Sequence, residues 1–331
     1  MLGEVSAARF DTSPPTFFET VPPDSREASE ALLAGIEAER ARIPPWYLYD
    51  VVGSRLFDVI TALPDYYPTR TEAAILSENA EEIAAAVPVK GGTMIDLGAG
   101  DCGKAPQLFE ELQPQQYVPV DISTDYLRGA VERLQQEHPD IEMIGVGTDF
   151  SRELELPEEV RTRRRVFFYP GSSIGNYDPV EARAFLERVR DQMEPDAALW
   201  IGVDLVKDVE VLERAYDDDL GVTQAFNLNL LNNVNRSVGT DFRPRDWRHV
   251  ARYDEDLGRI EMHLEARREL RVTWPGGERR FARGERIHTE SSYKYTMASF
   301  RELLQSAGLE PVDAWTDDRR WFAVFVAAPA A

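Results

Sequence analysis

The sequence has a single cysteine, Cys102, so no disulfide can close within it, and a lone thiol suits a reducing cytoplasm. Its four histidines are scattered, with no H-E-x-x-H and no spacing that suits zinc, so no metal is expected. No apolar run is long enough to span a bilayer. The opening MLGEVSAARFDTSPP lacks a basic start and an apolar stretch, so no secretory leader is expected. Positive charge is scarce: 37 Lys and Arg stand against 59 Asp and Glu, a net charge of −22. Such a surface repels phosphate backbones, which argues against nucleic acid and anionic membranes as partners. The one basic run, Arg161, Arg163, Arg164 and Arg165, precedes the apolar Val166–Tyr169 and reads as a solvated loop before a strand.

What is present is a rhythm. TMIDLG, YVPVDIS, IEMIGVG, RVFFYPG and ALWIGVDL are short apolar runs, separated by helical stretches such as TDYLRGAVERLQQEH and PVEARAFLERVRDQM. Alternation of this kind predicts a parallel sheet covered on both faces. The chain closes with a helix over SFRELLQSAGLEP and two strands, DAWTDD and WFAVFVAAP. Residues 208 to about 250 read as helical, with an Asn-rich centre, FNLNLLNNVNR. IEMHLEARRELRVTW and RRFARGERIHTESSYKY alternate around Pro275-Gly276-Gly277 and read as an antiparallel hairpin.

These patterns give the following organisation. Residues 1–24, rich in Pro, Ser and Thr, are expected to be loose. Residues 25–70 form a helical cap that joins the substrate domain; 71–206 and 289–331 form the α/β core; 207–288 are an inserted α+β substrate-binding domain. Cap and insertion would lie over the carboxyl ends of the strands, where doubly wound sheets bind ligands.

The stretch TMIDLGAGDCGKAPQLF turns from strand to helix through Gly98, Gly100 and Gly103, with the spacing G-x-G-x-x-G. Such a turn lets backbone N–H groups approach a nucleotide, though the pattern alone is equally a simple turn. Asp121 ends the second strand, where a carboxylate can accept from ribose hydroxyls; an N-cap is the alternative. Asp149 ends the third, where it can meet an adenine amino group with Phe150 against the ring. Dinucleotide and S-adenosylmethionine enzymes share this half. Asp96 ahead of the glycines, the helix–strand–strand ending and the lack of a second glycine-bearing half favour the sulfonium cofactor.

Several stretches together resemble one family, the L-histidine Nα-methyltransferases of ergothioneine biosynthesis. They are PPWYLYDVVGSRLFDVITALPDYYPTRTE, IDLGAG, FFYPGSSIGN, IGVDLVKD, R-A-Y-D-D with LGVTQAFNLNLL, RIEMHLEA and ERIHTESSYKY, in that order from Pro44 to Tyr295. The resemblance implies a class I, Rossmann-like methyltransferase core, S-adenosyl-L-methionine as donor, L-histidine as acceptor and its trimethylated betaine, hercynine, as product. It places Gly98, Gly100, Lys104, Asp121, Asp149 and Phe150 at the cofactor. Tyr66, Asn176 and Tyr216 would hold the carboxylate and amine, and Tyr49 would lie near the amine. Tyr49 and Asn176 are the candidates for a catalytic part. Glu290 and Ser292 would grip the imidazole, with Met262 beside them. A cytoplasmic monomer is expected.

The residues allow plainer roles. Tyr66 can be packing, Asn176 can cap the helix starting at Pro179, Glu290 can face solvent, Met262 can be core, and Cys102 is a spectator. The competing functions are methylation of another aromatic amino acid or amine, nicotinamide-dependent dehydrogenation, and cofactor binding without turnover.

Overall fold

The computed structural model describes residues 14–19 and 25–330. In chain order the first half runs β1 (Thr16–Glu19), α1 (Ser25–Glu37), α2 (Val51–Thr61), α3 (Tyr67–Glu78), α4 (Ala80–Ala85), β2 (Thr93–Leu97), α5 (Phe109–Leu112), β3 (Gln116–Asp121), α6 (Thr124–Glu137), β4 (Glu142–Gly147), β5 (Arg165–Tyr169), α7 (Pro179–Asp191) and β6 (Ala198–Asp204). The second half runs α8 (Val209–Tyr216), α9 (Val222–Val238), β7 (Trp247–Asp254), β8 (Arg259–Ala266), β9 (Leu270–Trp274), β10 (Gly277–Phe281), β11 (Arg286–Tyr293), α10 (Met297–Ser306), β12 (Leu309–Thr316) and β13 (Phe322–Pro329).

One eight-stranded sheet forms the core, in the order β1-β4-β3-β2-β5-β6-β13-β12. The strands from β1 to β6 are parallel, and β13 inserts antiparallel between β6 and β12. This is the predicted alternation with the predicted ending. β2, β5 and β6 are buried along their whole length, because helices cover both faces. Successive side chains point to opposite faces. Ile95 and Leu97 therefore pack with Phe185 of α7 and Phe300 of α10, while Met94 packs with Leu76 of α3 and Leu127 of α6.

Cap and insertion share a separate core. Leu32, Ile60, Leu230, Trp247, Leu264 and Ile287 belong to one buried cluster. The cap is tied to the insertion by backbone as well: Ile43 N–H donates to His288 O at 2.9 Å, and His288 N–H to Ala41 O at 2.9 Å. The Asn-rich stretch has a purpose here. Asn229 Nδ2 donates to Asp50 at 2.7 Å and Asn233 Nδ2 to Tyr47 O at 2.8 Å, while Asp50 caps α2 through Gly53 N.

The structure departs from several expectations. Thr16–Glu19 is ordered as an edge strand on β4, whereas residues 1–13 and 20–24 of the segment expected to be loose lie outside the described residues. Residues 247–254 form a strand rather than helix, with Trp247 and His249 buried on its inner side. The hairpin is split: Pro275–Gly276 closes only β9 and β10, while β11 returns to pair with β8 in a separate sheet with β7. That sheet continues to Tyr293, so the boundary expected between 288 and 289 falls inside β11. Of the basic run, Arg161, Arg163 and Arg164 are exposed in the loop before β5, as expected, whereas the Arg165 guanidinium is buried against the carbonyls of Arg161, Gln192 and Val160. Among the described residues no helix is long and apolar enough to cross a membrane.

Candidate active site

The glycine turn follows β2. Gly98 and Gly100 have φ of +73° and +54°, a region that side chains with a Cβ rarely adopt. A Cβ on Gly100 would meet nothing within 4 Å, and one on Gly98 only the edge of Phe150 at 3.6 Å, so the turn opens onto free space. Asp121, at the end of β3, takes Gly100 N–H on one oxygen at 3.0 Å and Ser123 N–H on the other at 2.8 Å. It thus fixes the turn and keeps lone pairs for a ligand; α6 has Ser123, not Asp121, at its N-cap position. Phe150 sits edge-on to Tyr169, and Asp149 accepts from Ser151 N at 3.2 Å. Asp96 is buried under the turn, with Tyr117 OH on one oxygen at 2.7 Å and no partner on the other. Burial pushes its carboxyl up to about 7 against the Tyr117 hydrogen bond. The open turn, the strand-end acids and the spare Asp96 oxygen fit a nucleoside carrying an amino acid. Lys104 is engaged elsewhere: its Nζ pairs with the buried Glu72 at 2.8 Å, and Glu72 also accepts from Gly171 N at 2.7 Å.

At the carboxyl end of β5, the strand beside β2, lies a pocket of about 500 Å³, mouth included, walled by Gly171–Ser173. It gathers every expected substrate residue: Tyr49, Tyr66, Asn176, Tyr216, Met262, Glu290 and Ser292 all line it. They come from six different elements or loops, with Glu290 and Ser292 both on β11. Tyr49 precedes α2 and Tyr66 precedes α3. Asn176 ends a short turn after β5, and Tyr216 ends α8. Met262 on β8 faces Glu290 on β11, and Ser292 follows two residues on.

The plainer roles fail for two of them. The cap of α7 is Asp178, which accepts from Val180 and Glu181 N–H, so Asn176 is free of that duty. Asn176 Nδ2 instead donates to Glu290 Oε1 at 3.2 Å. Glu290 is only 6% exposed and no solvent-facing residue. Burial pushes its carboxyl up to about 7, with Lys294 pulling the other way. Burial also raises the Tyr49 and Tyr66 phenols well above their ordinary value, so both stay neutral donors. Neither hydroxyl has a protein partner among the described residues. The Tyr216 hydroxyl is committed, at 2.8 Å from Ser292 Oγ and 3.0 Å from Lys294 Nζ.

Residues missed from the sequence complete the walls. Phe57 and Phe226 stand edge-to-face with Tyr49, ring centroids at 5.7 and 5.5 Å, and Thr223 lines the pocket with its buried hydroxyl unpartnered among the described residues. Lys294, Asp204 and Lys207 lie in recognised stretches, SSYKY and IGVDLVKD, yet nothing in one sequence says they converge.

A pocket of neutral donors, one buried carboxylate and aromatic walls, beside a nucleoside-type turn, suits group transfer to a small polar molecule. The wider likenesses agree. The CcbJ methyltransferase of Streptomyces caelestis shares the fold, with a TM-score of 0.50 at 17% identity over 86% of this chain and 100% of that one. The histidine N-alpha-methyltransferase of Mycolicibacterium smegmatis is 40% identical over 88% of this chain and 92% of its own length. The ergothioneine biosynthesis protein 1 of Neurospora crassa is 33% identical over 83% of this chain and 32% of its own length. Residues 28–329 match the histidine-specific, S-adenosylmethionine-dependent methyltransferases as a family. With nearly its whole length matched, and with the glycine turn and the adjoining pocket in place, the chain belongs to that family of S-adenosylmethionine-dependent enzymes.

Proposed function

We propose that the enzyme trimethylates the α-nitrogen of L-histidine to hercynine, the first step of ergothioneine biosynthesis. The observation that carries this is the pairing of Glu290 and Ser292 on one face of β11, opposite Met262, in a pocket whose Gly171 wall is tied through Glu72 to Lys104 of the glycine turn. A carboxylate and a hydroxyl so placed can serve both nitrogens of one imidazole, and a phenyl or indole ring would leave the buried carboxylate unpaired. The M. smegmatis relative's name supports the same substrate.

In this reading Gly98, Gly100, Asp121, Asp149 and Phe150 hold S-adenosylmethionine, which supplies the methyl group. Lys104 acts there through Glu72, tying the glycine turn to the Gly171 loop. Tyr66 and Asn176 hold carboxylate and amine. Tyr216, expected with them, moves to the ring end of the pocket because its hydroxyl is committed to Ser292. Tyr49 stands near the amine as a neutral donor. Each transfer forms one N–C bond and breaks one S–C bond, and before each attack the ammonium form of the nitrogen gives up one proton to leave its lone pair free. Holding a neutral nitrogen in line with the methyl group is most of the catalysis, and a charged base is not required. The aromatic faces of Tyr49, Phe57 and Phe226 accommodate the quaternary cation that results. Cap and insertion act together as the substrate domain, a division supported by their common core. We further take the enzyme to act as a cytoplasmic monomer, a reading supported by a pocket built from one chain and by a single buried thiol.

Incubation with S-adenosylmethionine and a mixture of amino acids, followed by mass spectrometry, tests the assignment. Histidine carrying three added methyl groups is expected. Methylation of another amino acid or amine instead would overturn the substrate, and cofactor binding without any product would overturn the activity.

A further inference from the structure

Beneath the pocket, outside its lining, four buried polar side chains meet. The Lys294 side chain is fully buried, and its Nζ lies 2.8 Å from Asp204 Oδ2, 3.0 Å from Tyr216 OH and 2.7 Å from Ser292 Oγ. Lys207 pairs with the other Asp204 oxygen, and Tyr67 OH donates to the same carboxylate at 2.8 Å. Burial alone would raise the Asp204 carboxyl, but Lys294 and Lys207 outweigh it and hold it below its ordinary range. The cluster joins cap, core strand end and inserted sheet; its side chains reach the pocket through Lys294, and the Asp204 N–H donates to Ser172 Oγ on the pocket wall at 2.8 Å.

Counting hydrogens gives the consequence. An ammonium has three, and Lys294 has three acceptors: Asp204, Tyr216 and Ser292. The two hydroxyls therefore both accept from it and have two hydrogens between them. One closes the 2.8 Å bond from Tyr216 to Ser292. It comes from the tyrosine, because a phenol is the stronger acid and an aliphatic hydroxyl the better acceptor. Ser292 Oγ then accepts from Lys294 and Tyr216, has no lone pair left, and can only donate. A ring nitrogen facing it must carry a lone pair. The opposite ring nitrogen, facing Glu290, must carry a hydrogen. Those two demands describe a neutral imidazole with one fixed tautomer.

We propose that Lys294 is a positioning residue that, without touching substrate, turns Ser292 into an obligate donor, so that the site takes histidine with a neutral ring. The inference rests on the histidine reading above and deepens it. The charged groups around the ring position are Glu290 on β11, Lys294 just beyond it, and Asp204 and Lys207 from the core. With Glu290 ionised these four balance, and an added imidazolium would face the buried Lys294 ammonium across Ser292.

The experiment uses wild-type enzyme with S-adenosylhomocysteine and L-histidine labelled with ¹⁵N in the ring, read by NMR at pH 6 and pH 8. At pH 6 a large share of free histidine rings are protonated. The bound ring is expected to show one protonated and one bare nitrogen at both pH values. Two protonated nitrogens at pH 6 would overturn the proposal. Lys294→Met should raise the histidine Kd at least tenfold at pH 8, leave S-adenosylhomocysteine affinity within twofold, and let imidazolium bind at pH 6. In a Ser292→Ala background the same substitution should change histidine affinity less than twofold; an equal loss with and without Ser292 would overturn positioning through that hydroxyl. If Lys294→Met does not fold, the wild-type spectra alone decide. Histidine that does not bind at all refutes the substrate assignment instead, and is distinguishable from bound imidazolium.

Discussion

Glu290 and Met262 stand opposite each other across β11 and β8, and a β-bulge beside Thr289 puts them there. On β8, Leu264, Met262 and Ile260 alternate regularly toward the shared core of cap and insertion. On β11 their partners are Ile287, Glu290 and Ser292, so the strand gains one residue between the first two. Regular alternation from Ile287 would aim Thr289 and Ser291 at the pocket. The extra residue re-aims the strand, as bulges beside active sites do. His288 and Ser291 then share the other face, 2.9 Å apart through Nε2 and Oγ.

Glu290→Ala is expected to lower histidine turnover by orders of magnitude while leaving S-adenosylmethionine affinity nearly unchanged, because Glu290 lies on the pocket and not on the glycine turn. Adding Met262→Val should enlarge the pocket beside it and improve the relative use of larger aromatic amino acids. Steady-state rates with histidine, phenylalanine and tryptophan check both. Unchanged histidine preference in Glu290→Ala would place ring recognition elsewhere.

Glu290→Gln should raise the melting temperature of the ligand-free enzyme at pH 8, and the gain should shrink as pH falls toward 5. The sign follows from linkage. Burial raises the Glu290 carboxyl to about 7 in the fold, above its ordinary value of about 4.3, so the folded state holds the proton more tightly. Stability is lost as pH rises between those values and the penalty is complete above the higher one. A neutral amide carries no such penalty. Thermal melts of both proteins from pH 5 to pH 8 test it; a constant difference across that range would contradict the raised carboxyl.

Asp121→Ala should weaken S-adenosylmethionine binding by about 1–3 kcal/mol, the cost of losing a charged hydrogen-bonding partner at a buried site. Part of the loss is indirect, since Asp121 also holds Gly100 N–H and Ser123 N–H. Asp121→Asn keeps one acceptor and should fall between. Calorimetry with the cofactor, then with histidine at saturating cofactor, separates the two sites. Equal cofactor affinity in wild type and Asp121→Ala would remove Asp121 from the nucleoside.

Histamine should be a poor substrate compared with free histidine, and peptide-internal histidine likewise. Tyr66 OH and the second Asn176 amide hydrogen are neutral donors on the pocket wall, and a substrate without a free carboxylate would displace water and leave them unmatched. Competition assays with the three compounds measure the preference. Comparable turnover of histamine would take Tyr66 and Asn176 out of the carboxylate role.

The sequence by itself determined the core. Apolar runs buried on both faces, helices between them and a glycine turn at the first crossover specify a doubly wound sheet, because each pattern is local and periodic. It also carried the residues that line the pocket, through stretches specific enough to be recognised one by one. Tertiary structure alone decided how those residues meet. The strand at 247–254, the split of the hairpin at Pro275–Gly276 and the bulge beside Thr289 depend on what packs against them in the insertion's sheet. The charges beneath the pocket depend on it most. Asp204 and Lys294 are ninety residues apart in sequence and 2.8 Å apart in the fold, and a buried ammonium is tolerable only where acceptors from distant segments surround it.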